Sequence, residues 1–201
     1  LKGSFLNDDL HLKFLNKRKS DQKNSRNILV KLLNSKIYTE IDFPEINENN
    51  QSVNGSILFK QNKNIVSSFF KYTKDKILIN NGSLRNELAN GKVNGTIKLL
   101  PFFNFDLNLD LDGLNFNKFY NFIIKADKKS VENFFNINNK INGQINISTE
   151  KIYSKYNLFR SFESKIKFFN SSIFIERLLV DLEKFGAADL TGKINRKKKI
   201  T

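Results

Sequence analysis

Residues 103–112 alternate without a break. Phe103, Phe105, Leu107, Leu109 and Leu111 are apolar, and Asn104, Asp106, Asn108, Asp110 and Asp112 between them are polar. A period of two places one set on each face of an extended strand. This stretch must therefore keep one face wet and lay the other against something apolar. After Asp112-Gly113 the period changes. Phe116, Phe119, Tyr120, Ile123 and Ile124 follow the spacing of one apolar helix face, which predicts a helix near 115–125. A one-faced strand feeding a short amphipathic helix is architecture, not a catalytic motif. Any function must come from what the apolar faces hold.

The rest of the chain extends the same style. Strands are expected over 3–6, 10–15, 28–33, 37–43, 53–60, 65–72, 76–80, 93–99 and 103–112. After the helix, a second short helix is expected over 130–135 with Ser130 as its N-cap. Strands resume over 140–148, 153–162, 164–169, 172–176, 178–183 and 188–195. The polar stretch 16–27 reads as a loop, and Pro44 ends a strand because it cannot donate to a ladder. Asn81-Gly82 and Asn90-Gly91 read as hairpin turns, since Asn-Gly tolerates positive φ. Closely spaced strands with short turns predict an all-β fold. The form expected is an elongated, curved, mostly antiparallel sheet, a groove or half-pipe, with one or two short helices near 115–136.

A quieter repeat runs through these strands. Val53-x-Gly55-x-Ile57, Val93-x-Gly95-x-Ile97, Ile141-x-Gly143-x-Ile145 and Leu190-x-Gly192-x-Ile194 share one phase, with Gly on the apolar face. A strand glycine marks a bend, a bulge or a close backbone approach. One reading is a bend that curls the sheet; the other is room on a concave face for an apolar guest.

Composition narrows the function classes. The 201 residues are 39% hydrophobic and carry 20 Phe, enough apolar side chain to order most of the chain. No apolar run approaches the roughly 18 residues of a membrane helix. The chain begins at Leu1 and shows no secretory signal, so it reads as an internal or C-terminal segment of a longer protein. With no cysteine, disulfides, zinc-thiolate sites and thiol nucleophiles are excluded. The net charge of +14 raises nucleic acid as a partner. However, the lysines are spread out, and aromatics alternate inward rather than mixing with exposed cations. The local clusters Lys17-Arg18-Lys19 and Arg196-Lys197-Lys198-Lys199 read as solvated charges or as contacts for an anionic surface.

No constellation for catalysis emerges. His11 is the only histidine and falls opposite Leu10, Leu12 and Phe14, which reads as a solvent-facing position rather than a base or ligand. Asp106, Asn108, Asp110 and Asp112 resemble the start of a calcium loop. Counted from Asn108, though, the twelfth position is Phe119 where a bidentate Glu is needed. No catalytic residue, metal or cofactor is expected.

Val93-Asn-Gly-Thr-Ile-Lys-Leu, Phe105-Asp-Leu-Asn-Leu-Asp-Leu-Asp-Gly-Leu-Asn-Phe, the short helix, and Ile141-Asn-Gly-Gln-Ile-Asn-Ile together resemble the AsmA-like proteins. Ala187-Ala-Asp-Leu-Thr-Gly-Lys-Ile looks like their last strand, and the likeness covers about 93–194. Phe185-Gly-Ala-Ala departs from the paired small-Gly turn expected there. The resemblance implies a periplasmic β-groove anchored to the inner membrane by a segment outside this one, shielding lipid chains between two membranes. It divides the chain into upstream strands (1–92), an AsmA-like region (93–195) and a basic tail (196–201). Ile97, Leu99, Phe103, Phe105, Leu107, Leu109, Leu111, Ile145 and Ile147 would line the concave wall. The expected partners are phospholipid or another lipid, the inner membrane and other envelope proteins, without nucleic acid. The function expected is phospholipid transport or outer-membrane assembly. The alternative is a structural or adhesive β-module with a closed core and no ligand.

Overall fold

The computed structural model describes residues 1–5, 8–19, 22–44, 52–125, 141–155 and 158–194. The strands of the first half are β1 (Lys2–Phe5), β2 (Asp8–Lys19), β3 (Gln22–Leu32), β4 (Ile37–Pro44), β5 (Ser52–Gln61), β6 (Asn64–Thr73) and β7 (Lys76–Arg85). Then come β8 (Ala89–Lys98), β9 (Asn104–Asn115) and the helix α1 (Phe116–Lys125). The chain closes with β10 (Gly143–Thr149), β11 (Ile152–Tyr153), β12 (Ser161–Phe169), β13 (Ser172–Asp181) and β14 (Ala187–Ile194). The 14 strands among the described residues belong to one sheet, in sequence order from the β1 edge to the β14 edge, with β11 paired to the end of β9.

Neighbouring strands are antiparallel except where β10 and β11 run parallel to β9. A parallel pair needs a crossover rather than a tight turn. The helix read after Asp112-Gly113 lies in that crossover. Asn115 caps it, its Oδ1 accepting from the Lys118 N–H at 3.0 Å. The second helix expected over 130–135 lies outside the described residues.

Several local expectations are corrected. The stretch 16–27 is not a loop. Residues 16–19 and 22–27 belong to the arms of the β2–β3 hairpin, with Leu15 opposite Asn27 and Asn16 opposite Arg26. A ladder already begun by Leu12, Phe14, Ile28 and Val30 extends through polar residues of weak strand propensity. Neither Asn-Gly pair is a hairpin turn. Asn81-Gly82 lies inside β7 and Asn90-Gly91 inside β8, each at a register shift. The positive φ that Asn81 tolerates, 51°, serves a bulge. The β7–β8 turn is made instead by Asn86, whose Oδ1 accepts from Leu88 and Ala89 N–H at 2.8 and 2.7 Å. Residues 153–162 do not form one strand: β11 stops at Tyr153 and β12 starts at Ser161. Conversely, the two strands expected over 172–183 are one, β13, with its irregularity between Ile175 and Leu178.

The sheet is a single curled layer. Extensive contacts among the described elements join hydrogen-bonded neighbours, and α1 rests on β9 and β11, so no strand lies face to face on another. The chain exposes 15201 Å², against about 9,700 Å² for a compact globule of its mass. Six register shifts, from Lys17/Lys19 to Ile175/Leu178, add local twist of the kind that bends sheets. Which face is inside follows from burial. Register places Val53, Val93, Thr149 and Ile173 on one face, and of the buried strand residues only Asn27 belongs to the other. Without a covering layer, the more enclosed face must be the concave one.

At one end the β3–β4 turn is fastened by Asp8. Its carboxylate accepts from the Asn34 and Ser35 N–H groups at 2.8 Å each. The Ser35 side chain first, then these backbone donors, hold its pKa below the usual carboxylate value. A depressed folded-state pKa gives stability that is complete above the unfolded carboxyl's titration range. That stability is lost as pH falls through the folded value. Hydrogen exchange at Asn34 and Ser35 should therefore lose protection on acidification, and Asp8→Asn should remove that dependence. An unchanged acid profile in the variant would refute the cap.

Candidate functional site

The inner face is built in rows that run across strands. Ile97, Phe105 and Gly143 stand side by side on β8, β9 and β10, followed by Phe168 and Ile173. The next row is Ile79, Gly95, Leu107, Ile145, Ile166 and Ile175. Beyond it lie Gly82, Val93, Leu109, Ile147, Ser164 and Leu178. A fourth row carries Leu84, Gly91, Leu111, Thr149, Phe162 and Val180. Upstream, Val30, Thr39, Phe59 and Val66 continue the fourth row through β3–β6. Because directly paired residues share a face, period-two strands in register make one continuous apolar floor.

Seven of the nine expected lining positions come together here: Ile97, Phe105, Leu107, Leu109, Leu111, Ile145 and Ile147, all half-buried in strands. Leu99 and Phe103 do not line it. β8 ends at Lys98 and β9 begins at Asn104, so both belong to the connection 99–103 around Pro101, 36% and 41% exposed. They lie on the rim. The floor residues contributed by β3–β6 and β12–β13 were not among the expected lining set. The shared Gly-x-Ile phase, which contains Ile57, was the signal that could have extended it.

Three of the four glycines of the repeat, Gly55, Gly95 and Gly143, leave no hole for a guest. A Cβ at Gly143 would strike the Phe105 carbonyl oxygen and lie 2.6 Å from Cγ of the Phe105 ring. That ring meets Phe168 across Gly143, with centroids 5.6 Å apart. At Gly55 the Phe70 ring occupies the space, and at Gly95 the Asp106 carbonyl and the Leu107 side chain do. Glycine here permits close strand approach and lets a neighbouring aromatic or Leu fold over the backbone. Of the four glycines of the repeat, Gly192 alone has its nearest atom as far away as 3.8 Å.

Across β8–β10 the outer face is polar and internally bonded. Asn146 donates to Asn108 Oδ1 and Ser148 to Asp110 Oδ1, each at 2.8 Å, so Asn108 and Asp110 of β9 serve cross-strand pairing. A shallow outer hollow of about 420 Å³ involves Asn94, Asp110, Glu163, Lys165 and Arg177. Nearby Glu176 is held below the usual carboxylate range, first by its hydrogen bond from Lys165 (2.9 Å) and then by Lys167 (3.6 Å). His11 is on this face, opposite Lys31, and is half-buried rather than fully solvent-facing. Among the described residues no group of His, Cys, Asp or Glu could hold a metal ion, and no helix is long and apolar enough to cross a membrane. No family model, curated protein or solved structure matches this chain.

Proposed function

We propose that the inner face is a trough that shields lipid acyl chains, and that the protein is a non-enzymatic segment contributing to phospholipid transport or outer-membrane assembly. One observation carries this reading: an apolar floor continuous across the strands, with no layer covering it among the described residues. A water-facing floor of this extent has a standing cost. Each methylene removed from water contributes about 0.8 kcal/mol, so acyl chains laid along it offset that cost while their headgroups stay wet. β9, at 12 residues, spans about 40 Å at about 3.3 Å per residue, which is long enough to hold an extended chain. The AsmA-like resemblance of 93–194 supports the same reading and adds its envelope setting, periplasmic with an inner-membrane anchor outside this segment.

Native mass spectrometry of the purified chain, before and after incubation with phospholipid, tests it. The expected spectrum carries one or more lipid adducts that survive gentle activation. A clean apo mass with no uptake would sink the trough and favour a structural module.

A further inference from the structure

The two rims of the sheet differ. One carries the turns 33–36, 61–64 and 86–88 together with α1, and its charges are mixed. Lys63 pairs with Glu87, and Arg160 faces Asp181. The opposite rim carries the turn 73–76 and the connection 99–103. Here Phe102 is 81% and Leu100 60% exposed, outside any ladder. Exposed Lys74, Lys76 and Lys98 share this rim with Asp75, whose carbonyl accepts from the Leu99 N–H at 2.8 Å. Lys76 and Lys98 are directly opposite across β7 and β8, an arrangement of like charges that costs stability on its own.

We propose that this rim docks on an anionic lipid bilayer, with Leu100 and Phe102 entering the acyl region and Lys74, Lys76 and Lys98 meeting the headgroups. Large protruding apolar side chains on a surface mark an interaction site. The charge sign and the shape select the partner. A bilayer accepts a protruding apolar tip without a matching pocket, and an anionic leaflet attracts clustered lysines. Headgroup phosphates also relieve the Lys76–Lys98 repulsion. From the tip the apolar surface runs inward: the Phe103 ring lies 6.2 Å from that of Phe105, the first floor residue of β9. Docking does not depend on the trough holding lipid, although the trough reading would give the contact a purpose.

Vesicle flotation of the 201-residue chain decides the matter, using phosphatidylcholine vesicles with and without phosphatidylglycerol. The chain is expected to float with the anionic vesicles and weakly or not at all with the neutral ones. Leu100→Ser with Phe102→Ser should lower partitioning about a hundredfold, about tenfold for each side chain withdrawn from the acyl region. Lys74→Gln and Lys76→Gln should each lower it about fivefold, with the loss shrinking in high salt. Both apolar positions are highly exposed, so circular dichroism should be unchanged. Failure to float with anionic vesicles overturns the proposal. So does flotation that survives the Leu100/Phe102 substitution, whether lysines elsewhere or extraction of lipid into the trough carries it. Loss of flotation with lipid adducts retained in mass spectrometry would separate the docking tip from the trough.

Discussion

Gly95→Ala is expected to lower the unfolding free energy by about 3 kcal/mol, through backbone strain and overpacking together. Gly95 has φ 151°, a conformation L side chains rarely adopt. A Cβ there would strike the Asp106 carbonyl oxygen, and it would lie 2.9 Å from Leu107 Cα and 3.0 Å from Leu107 Cδ2. The obstruction is the backbone of β9, which its own ladders to β8 and β10 hold in place. Gly143, with φ 149° and the Phe105 carbonyl and ring in its way, should cost about as much. Gly192→Ala provides the internal control. The nearest atoms to its Cβ position are Ile175 side-chain carbons at 3.8 and 4.0 Å. That change should therefore be within about 0.5 kcal/mol of neutral, or slightly stabilising through the unfolded chain. Urea unfolding of the three variants reads the contrast directly. Equal midpoints for Gly95→Ala and Gly192→Ala would show that the close approach of β8 to β9 does not constrain the fold.

The second large effect concerns lipid. Leu107→Asp with Leu109→Asp should reduce phospholipid uptake about a hundredfold. The two residues occupy adjacent rows at the middle of the floor, between Gly95 and Ile145 in one row and Val93 and Ile147 in the next. Carboxylates there would interrupt the apolar path. Losing contact with about four methylenes, at about 0.8 kcal/mol each, amounts to about two orders of magnitude in affinity. Asn108→Asp adds one such charge between them on the opposite face, where Asn108 accepts a hydrogen bond from Asn146 that an aspartate would also accept. It should leave uptake unchanged. Mass-spectrometric adduct occupancy for the three proteins, with circular dichroism to confirm folding, distinguishes a directional floor from general charge sensitivity. If Asn108→Asp is as damaging as the double variant, the effect does not come from the trough.

The alternation of β9 and the amphipathic spacing of α1 were legible because both depend on near neighbours in sequence. A period of two or of 3.6 is written into the residues themselves. So was the all-β class, and so was the shared face of Gly55, Gly95, Gly143 and Gly192, which register confirms. The turns were harder to read. Asn81-Gly82 and Asn90-Gly91 carry the local chemistry of a hairpin, yet the ladder pairs Gly82 with Val93 and Gly91 with Leu111. Long-range hydrogen bonding assigned that backbone freedom to bulges, and Asn86 took the turn. In the same way the polar arms of β2 and β3 became strand because pairing started by Leu12 and Val30 ran on past them.

The sequence by itself determined that each strand has one apolar face, and that a helix interrupts the series after Asn115. Only the tertiary structure decided that these faces share one side of a single sheet, that no second sheet of the described residues covers them, and that Phe105 and Phe168 close over Gly143. It also moved Leu99 and Phe103 from wall to rim, beside Leu100 and Phe102. The physical reason is that periodicity fixes the direction of a side chain relative to its own strand. What that side chain meets depends on register with residues far away in the chain, and register is settled by cross-strand pairing, bulges and the close approaches that glycine permits.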